Sequence, residues 1–244
     1  MNYLTWYNSL FEKVQSEKIV GEASVNYCET HLFKDTPKNI YNFNPTARFV
    51  YVVRDPIDRI NSCWRQALSS GHWYRYYYNK EMMPLSFERA VFEYPHLLKT
   101  TLYYQNMIEY LKYFNEKQIK VLFYEDFKRN GQEAVQGIFE FLGVNPEFVP
   151  NGIDKPKNVG STKKMAHPSL KKIANILSRI PGFASASNFN MGISTVAKYY
   201  PKTKLIEPSW SFETKKRFLC YIKNDAIKIL DYANKSHDIW TLAI

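Results

Sequence analysis

The stretch "RFVYVVRDPIDRINSCW", residues 48–64, decides how this chain is read. It begins as a β-branched and aromatic run, passes through an Asp-Pro turn, and continues as a helix-compatible segment with a second arginine and a serine. An apolar run without alternation, closed by a turn signal, predicts a strand buried on both faces. Pro56 suits the first helical turn, where no N–H is needed, and Asp55 or Asp58 can cap or pair there. A strand turning sharply into a helix aims free backbone N–H groups at one point, and such a helix start favours an anion. Arg54 adds a guanidinium fork matched to phosphate oxygens, and Ser62 returns near that point about two helical turns later. Together these residues describe a phosphate site. The same residues also allow a plainer arrangement, in which Arg54 and Arg59 only pair with Asp55 and Asp58 at a helix start.

Working outward, "KIVGE" (18–22) and "IKVLFYED" (119–126) read as two further strands, each ending in charge. Helical spacing marks Ile57 to Ser69, "SFERAVFEY" from Ser86, "LYYQNMIEYLKYFNEK" from Leu102, and "NGQEAVQGIFEFLGV" after the third strand. Strands alternating with helices predict an α/β fold, a parallel sheet with helices on both faces. In such sheets a ligand sits outside the carboxyl ends of the strands, so Glu22, Arg54 and Glu125 are expected to face one crevice. From Asn151 the chain turns to Asn, Gly, Ser, Pro and Lys, then to basic helical patterns, with Ser211 fitting the N-cap of the last helix. The expected organisation is a single domain over 1–244, an α/β core over 1–150 followed by a loop and C-terminal helices over 151–244.

Composition narrows the chemistry. A formal net charge of +10 favours an anionic ligand or partner, or simply a solvated basic surface. Cys28, Cys63 and Cys220 are scattered and odd in number, which argues against a disulfide framework or a zinc site and makes a reducing compartment the default. No H-E-x-x-H pattern occurs, and no metal is expected. No run of eighteen apolar residues is present, and "MNYLTWYNSLFEKVQSEK" lacks the pattern of a signal peptide, so the default location is the cytoplasm. "GHWYRYYYN" (71–79) gathers His72, Trp73, Tyr74 and Arg75 in a segment that can stack on sugars or bases, or whose rings can be core. The basic residues are spread along the chain without a recognition motif, so nucleic acid is not the expected partner.

"RFVYVVRDPIDRINSCW" resembles the segment by which sulfotransferases bind 3′-phosphoadenosine 5′-phosphosulfate (PAPS), with Arg and Ser at R-x7-S spacing holding the 3′-phosphate. "IVGEASVNY" is similar to the glutamate-bearing segment of the glycan-type branch. "PLSFERAVFEY" and "KVLFYEDFKRNGQEAVQGIFEFLGV" resemble its middle, and "KNVGSTKKMAHPSL" with the final helical stretch resembles its C-terminal third. The resemblance implies a P-loop-NTPase-like sulfotransferase fold with PAPS as donor, 3′-phosphoadenosine 5′-phosphate (PAP) as product, and no metal. The acceptor would be a hydroxyl or amine, a carbohydrate among the candidates. Arg54 and Ser62 become the 3′-phosphate ligands. Glu22 becomes the general base, or else a structural ion-pair partner. Ala23 stands where the family often has Lys. Gly160, Ser161, Lys163 and Lys164 match a donor-covering loop, and His72, Trp73, Tyr74 and Arg75 an acceptor-side wall. Glu125 and Asp126 fall in a family-like "YED" that holds helices about the strand end.

The family normally has a Lys-containing, Gly-Thr-rich loop around the 5′-phosphosulfate, placed well before the "GE" segment. Only twenty residues precede Gly21, and the nine glycines form no G-x-x-x-x-G-K. The expectation is a chain lacking that loop and its strand, with a gap between the strands ending at Arg54 and Glu125 unless "ISTVAKYY" (193–200) fills it. A sulfotransferase, or a relative that binds nucleotide or polyanion without turnover, follows from this reading.

Overall fold

The computed structural model describes residues 3–77, 80–153, 155, 162–183 and 185–242. In chain order they form α1 (Tyr3–Ser9), α2 (Thr36–Phe43), β1 (Phe49–Val53), α3 (Pro56–Ser70), α4 (Phe87–Glu93), α5 (Pro95–Lys99) and α6 (Tyr103–Leu111). Then come β2 (Ile119–Phe123), α7 (Tyr124–Arg129), α8 (Gly131–Leu142), β3 (Lys164–Ala166), α9 (Leu170–Leu177), α10 (Ala186–Tyr199), β4 (Lys202–Lys204) and α11 (Phe212–Tyr232). Contacts gather these into two compact units interleaved in sequence, Met1–Val53 with Met107–Lys155, and Arg54–Asn106 with Pro156–Ile244.

In the first unit β1 and β2 form a parallel pair in register from Phe49↔Ile119 to Val53↔Phe123. The pairing strands are rich in Val, Ile, Leu and Phe, residues that suit a pleated surface between helices. Successive side chains alternate across the pair. On one face Phe49 lies edge-on to Tyr110 of α6 and to Phe114, at 5.1 and 4.7 Å between ring centroids. On the other, Lys120 runs beside Gly137 of α8. Helices therefore cover both faces, as the apolar runs predict.

Three expectations about strands are corrected. Lys18–Glu22 joins no strand among the described residues, and all five residues are exposed. Its apolar run is only Ile19 and Val20, too little to anchor a buried strand. The strand expected over 119–126 ends at Phe123, because Tyr124–Arg129 turns into helix with Glu125 and Asp126 in its first turn, where carboxylates favour the helix dipole. No gap separates the two strands, since β1 and β2 bond to each other directly, and Ile193–Tyr199 of the proposed filler belongs to α10.

The second unit is built on α3 and α11. Buried Ile60, Trp64, Ala67 and Leu68 recur at i, i+4, i+7 and i+8, and Phe218, Leu219, Ile222, Ala226, Ile229 and Leu230 form the matching stripe on α11. An aromatic chain runs from Trp64 to Phe87, Trp210 and Phe218, with ring centroids 4.9–5.2 Å apart. Trp64 Nε1 donates to the Pro84 carbonyl and Trp210 Nε1 to Asn61 Oδ1, each at 3.0 Å. Ser211 caps α11 by accepting from the Thr214 N–H at 3.1 Å, as its position predicts. Asp225 accepts from the Tyr104 and Gln105 N–H groups at 3.0 and 2.8 Å and so caps α6. A short antiparallel pair, β3 with β4, buries Met165 and Ala166; three-residue strands carry too little periodicity to be read from sequence.

Gly71 ends α3 in the left-handed conformation, φ 85°, and a Cβ there would run into the Tyr74 ring. Gly71→Ala combines left-handed strain with overpacking and is expected to cost about 2–4 kcal/mol. Chemical denaturation of parent and variant checks this, with an unchanged midpoint as the contrary result.

Candidate active site

The site begins where α3 begins. Asp55, with φ −41° and ψ 122°, is the N-cap, and its Oδ1 accepts from the N–H groups of Ile57 and Asp58 at 2.8 and 3.2 Å. Its second oxygen accepts from the Thr241 N–H at 2.7 Å. Pro56 has no N–H, and the Arg59 N–H bonds the Asp55 carbonyl at 2.8 Å. The expectation of free helix-start donors aimed at an anion is therefore corrected. A carboxylate from the chain itself fills that role.

Exposed side chains of α3 form a row. Asp58, Ser62 and Gln66 follow one another at four-residue intervals along one side of α3, and Arg54, just before the helix, bonds to the first of them. Arg54 Nη2 lies 2.7 Å from Asp58 Oδ2, so the arginine does pair at the helix start as the plainer arrangement has it. The pair is part-exposed, and a multivalent anion can displace such a partner at little cost. The main chain of Arg54 is held by Tyr103, whose hydroxyl donates to the Arg54 carbonyl at 2.9 Å and lies 3.3 Å from its N–H. Ser62 is exposed. Lys163 reaches the same row and donates from Nζ to Gln66 Oε1. Two cations, a hydroxyl and an amide are thus brought to one side of α3.

The remaining candidates divide. Lys164 is exposed in β3, paired in register with Lys204 and not directed to Gln66 by any bond. Gly160 and Ser161 lie outside the described residues. Trp73 is 1 % exposed and Tyr74 is 9 %, so both rings pack in the core of their unit, which corrects their placement on an acceptor-facing wall. His72 and Arg75 are half-buried. His72 stacks on Tyr77 with centroids 3.9 Å apart, and Tyr77 meets His96 edge-on. Glu22, in the first unit, is exposed and accepts a hydrogen bond from the Tyr27 hydroxyl; the Tyr27 carbonyl in turn accepts from Tyr110 at 2.7 Å. Burial pushes the Tyr110 phenol above its ordinary range, which keeps it a donor there. Asp126 pairs with Arg129 at 3.0 Å on α7, in keeping with a structural part. Tyr103 and Gln66 escaped the sequence reading: Tyr103 lies far along the chain, and Gln66 shows its relation to Ser62 only once the helix is known.

Burial, aided by the Arg75 charge, lowers the His72 pKa to about 4. A base whose folded pKa is depressed adds stability that is full above its unfolded pKa, about 6.5, and is lost as pH falls toward 4. His72→Phe keeps a ring against Tyr77 and removes the titration. Thermal melts between pH 7 and 4 are expected to fall less steeply for the variant, and parallel curves would show that His72 does not set the slope.

Among the described residues no cluster of three His, Cys, Asp or Glu side chains is placed to hold a metal ion, and no helix is long and apolar enough to cross a membrane.

The fold is that of an α/β protein with a parallel strand pair and helices, in which Arg54, Ser62, Gln66 and Lys163 lie at and along α3. Residues 1–194 match the model of the sulfotransferase domain, and the chain belongs to the sulfotransferase family. It is 26% identical to carbohydrate sulfotransferase 15 of Homo sapiens over 123 residues, 44% of this chain and 22% of that protein. The Mus musculus protein of the same name is 25% identical over the same extent. The aligned segment thus spans about a fifth of the length of these curated relatives. A solved structure, a sulfotransferase from Alicyclobacillus acidocaldarius, shares the fold with a TM-score of 0.62 at 19% identity, covering 98% of this chain and 74% of that one.

Proposed function

We propose that the chain transfers a sulfuryl group from PAPS to a hydroxyl or amine of a carbohydrate acceptor. The observation that carries the reading is the start and exposed side of α3, where Arg54 bonds Asp58, Ser62 and Gln66 follow at helical spacing, and Lys163 reaches Gln66. The match to the sulfotransferase domain supplies the reaction class. Arg54 and Ser62 fit the 3′-phosphate of the donor, with a planar fork and a hydroxyl, and Lys163 offers an ammonium to another part of the nucleotide. When bound, PAPS supplies the activated sulfuryl group. Arg54 then exchanges Asp58 for phosphate oxygens, while Tyr103 keeps its backbone in place. Glu22 takes the proton from the attacking acceptor atom, with Tyr27 fixing one carboxylate oxygen. The protein contributes position and charge rather than covalent participation.

Purified protein, PAPS labelled with radioactive sulfur and a panel of glycans test this directly. Label incorporated into a glycan, with PAP as product, is the expected result. Tight PAP binding with no transfer to any glycan would make the chain a nucleotide-binding relative, and the absence of both would overturn the reading.

A further inference from the structure

In the second unit the chain beyond α11 folds back on the start of α3, and each step of that return is fixed locally. Asn234 takes the left-handed conformation, φ 51°, that commonly ends a helix and that asparagine tolerates better than most residues. The Lys235 N–H then bonds the Leu230 carbonyl at 2.9 Å, and His237 Nε2 lies 2.8 Å from Asp231 Oδ1, so the reversal is tied to the last turns of α11. Ser236 accepts from the Asp238 N–H at 3.4 Å and starts a single 3₁₀ turn, His237–Ile239. That turn delivers Trp240 and Leu242 to buried positions. The Leu242 N–H bonds the Trp240 carbonyl at 3.0 Å, which makes Thr241 the centre of a three-residue turn.

Two contacts run from this turn to Arg54 and Asp55. The Trp240 indole meets the Tyr103 ring with centroids 5.7 Å apart, and the Tyr103 hydroxyl is the group that donates to the Arg54 carbonyl and lies 3.3 Å from its N–H. Tyr103 opens α6, whose Tyr104 and Gln105 N–H groups are capped by Asp225 of α11, so this tyrosine is held through its backbone and through its ring. Thr241 donates its N–H to Asp55 Oδ2 at 2.7 Å, while Oδ1 of the same carboxylate caps α3. A hydrogen bond to an ionised oxygen holds the carboxylate in one orientation and draws off part of its charge. Without it, that oxygen competes more strongly with a phosphate for the guanidinium of Arg54, its neighbour in the chain.

We infer that the turn Trp240–Leu242 is a positioning element of the donor site: it places Arg54 by way of Tyr103, engages the Asp55 carboxylate through the Thr241 N–H, and so raises the affinity for the 3′-phosphate. The inference rests on the reading of Arg54 and Ser62 as the 3′-phosphate ligands and extends that site to a segment 186 residues away in sequence. Trp240 and Thr241 act through Tyr103 and Asp55 and not on the donor itself.

The test is calorimetry with PAP on the whole chain, below the melting transition of every variant. Thr241→Pro removes the N–H and little else. Thr241 has a negative φ, so its turn is of the inverse kind with φ about −75°, which proline supplies. Trp240, at φ −122° and ψ 150°, already has the conformation that precedes proline. PAP affinity is expected to fall about 5- to 20-fold, part of what a hydrogen bond to a charged group is worth. Thr241→Ala keeps the N–H and is the rescue, binding as the parent does. In an Asp55→Ser background α3 stays capped and no carboxylate remains to be engaged, so Thr241→Pro should cost nothing further. Tyr103→Phe keeps the ring against Trp240, removes the hydroxyl, and is expected to lose affinity by a similar factor. Parental affinity in Thr241→Pro overturns the inference, as does an equal loss in Thr241→Ala or an equal loss with and without the Asp55 carboxylate. If Thr241→Pro does not fold, parental affinity in Tyr103→Phe overturns it. A parent chain with no affinity for PAP overturns the donor site and the inference together, whereas PAP affinity indifferent to these variants leaves the donor site standing and removes only the role of the turn.

Discussion

Arg54→Ala is expected to weaken PAP binding roughly 10- to 150-fold, the range that corresponds to ~1.5–3 kcal/mol for a hydrogen bond to a charged group. The loss should fall on binding and not on folding. In the free protein the Arg54 guanidinium pairs with the part-exposed Asp58, and such pairs contribute about 0–1 kcal/mol. Its backbone contacts to Tyr103 survive the substitution. Arg54→Lys should recover part of the affinity, since it restores charge without the planar fork. Asp58→Asn should act in the opposite direction and tighten binding several-fold, because it removes the carboxylate with which phosphate competes. Calorimetry with PAP measures all three. Equal affinity in Arg54→Ala and the parent would remove the 3′-phosphate from α3 altogether.

The stretch that carried most of the sequence reading proved legible for identifiable reasons. Phe49–Val53 is an uninterrupted apolar run and Ile119–Phe123 is apolar but for Lys120, so their strand character and parallel pairing could be read without any partner in view. The α3 helix announced itself through Pro56 at its first turn and through the recurrence of Ile60, Trp64 and Leu68. Resemblance in the same stretch then gave the family, and the match over residues 1–194 bears that out. What could not be read is what depends on groups distant in sequence. Asp55 carries the same charge whether it lies beside a bound phosphate or fills the phosphate's place at the helix start, and only the bonds to Ile57, Asp58 and Thr241 show the latter. Trp73 and Tyr74 look like a binding surface because aromatic residues serve cores and ligands alike, and burial decides between them. Lys18–Glu22 was drawn toward strand by two aliphatic residues and by likeness, although it joins no strand ladder among the described residues.

Glu22→Gln is expected to lower turnover by about 10²- to 10⁴-fold while leaving PAP affinity unchanged, the signature of a group that acts on the acceptor proton. The substitution is informative because of what it preserves. Glutamine keeps an oxygen that can accept from the Tyr27 hydroxyl, so the local arrangement of Glu22, Tyr27 and Tyr110 is retained while the proton acceptor is lost. Since Glu22 is exposed and outside any strand ladder, the folded state should hardly register the change, and surface substitutions of this kind stay within about 0.5 kcal/mol. A pH profile separates chemistry from structure: the acidic limb of kcat/KM belongs to the base and should vanish in the variant. Tyr27→Phe provides the positioning control. It leaves the carboxylate but frees it from its tether, so kcat should fall several-fold with the acidic limb still present. If Glu22→Gln turns over at the parental rate with the limb intact, Glu22 is only a tethered surface carboxylate and the base must be sought elsewhere. If kcat falls in both variants with identical pH profiles, Glu22 acts through the placement of the Val25–Cys28 turn and not as the proton acceptor.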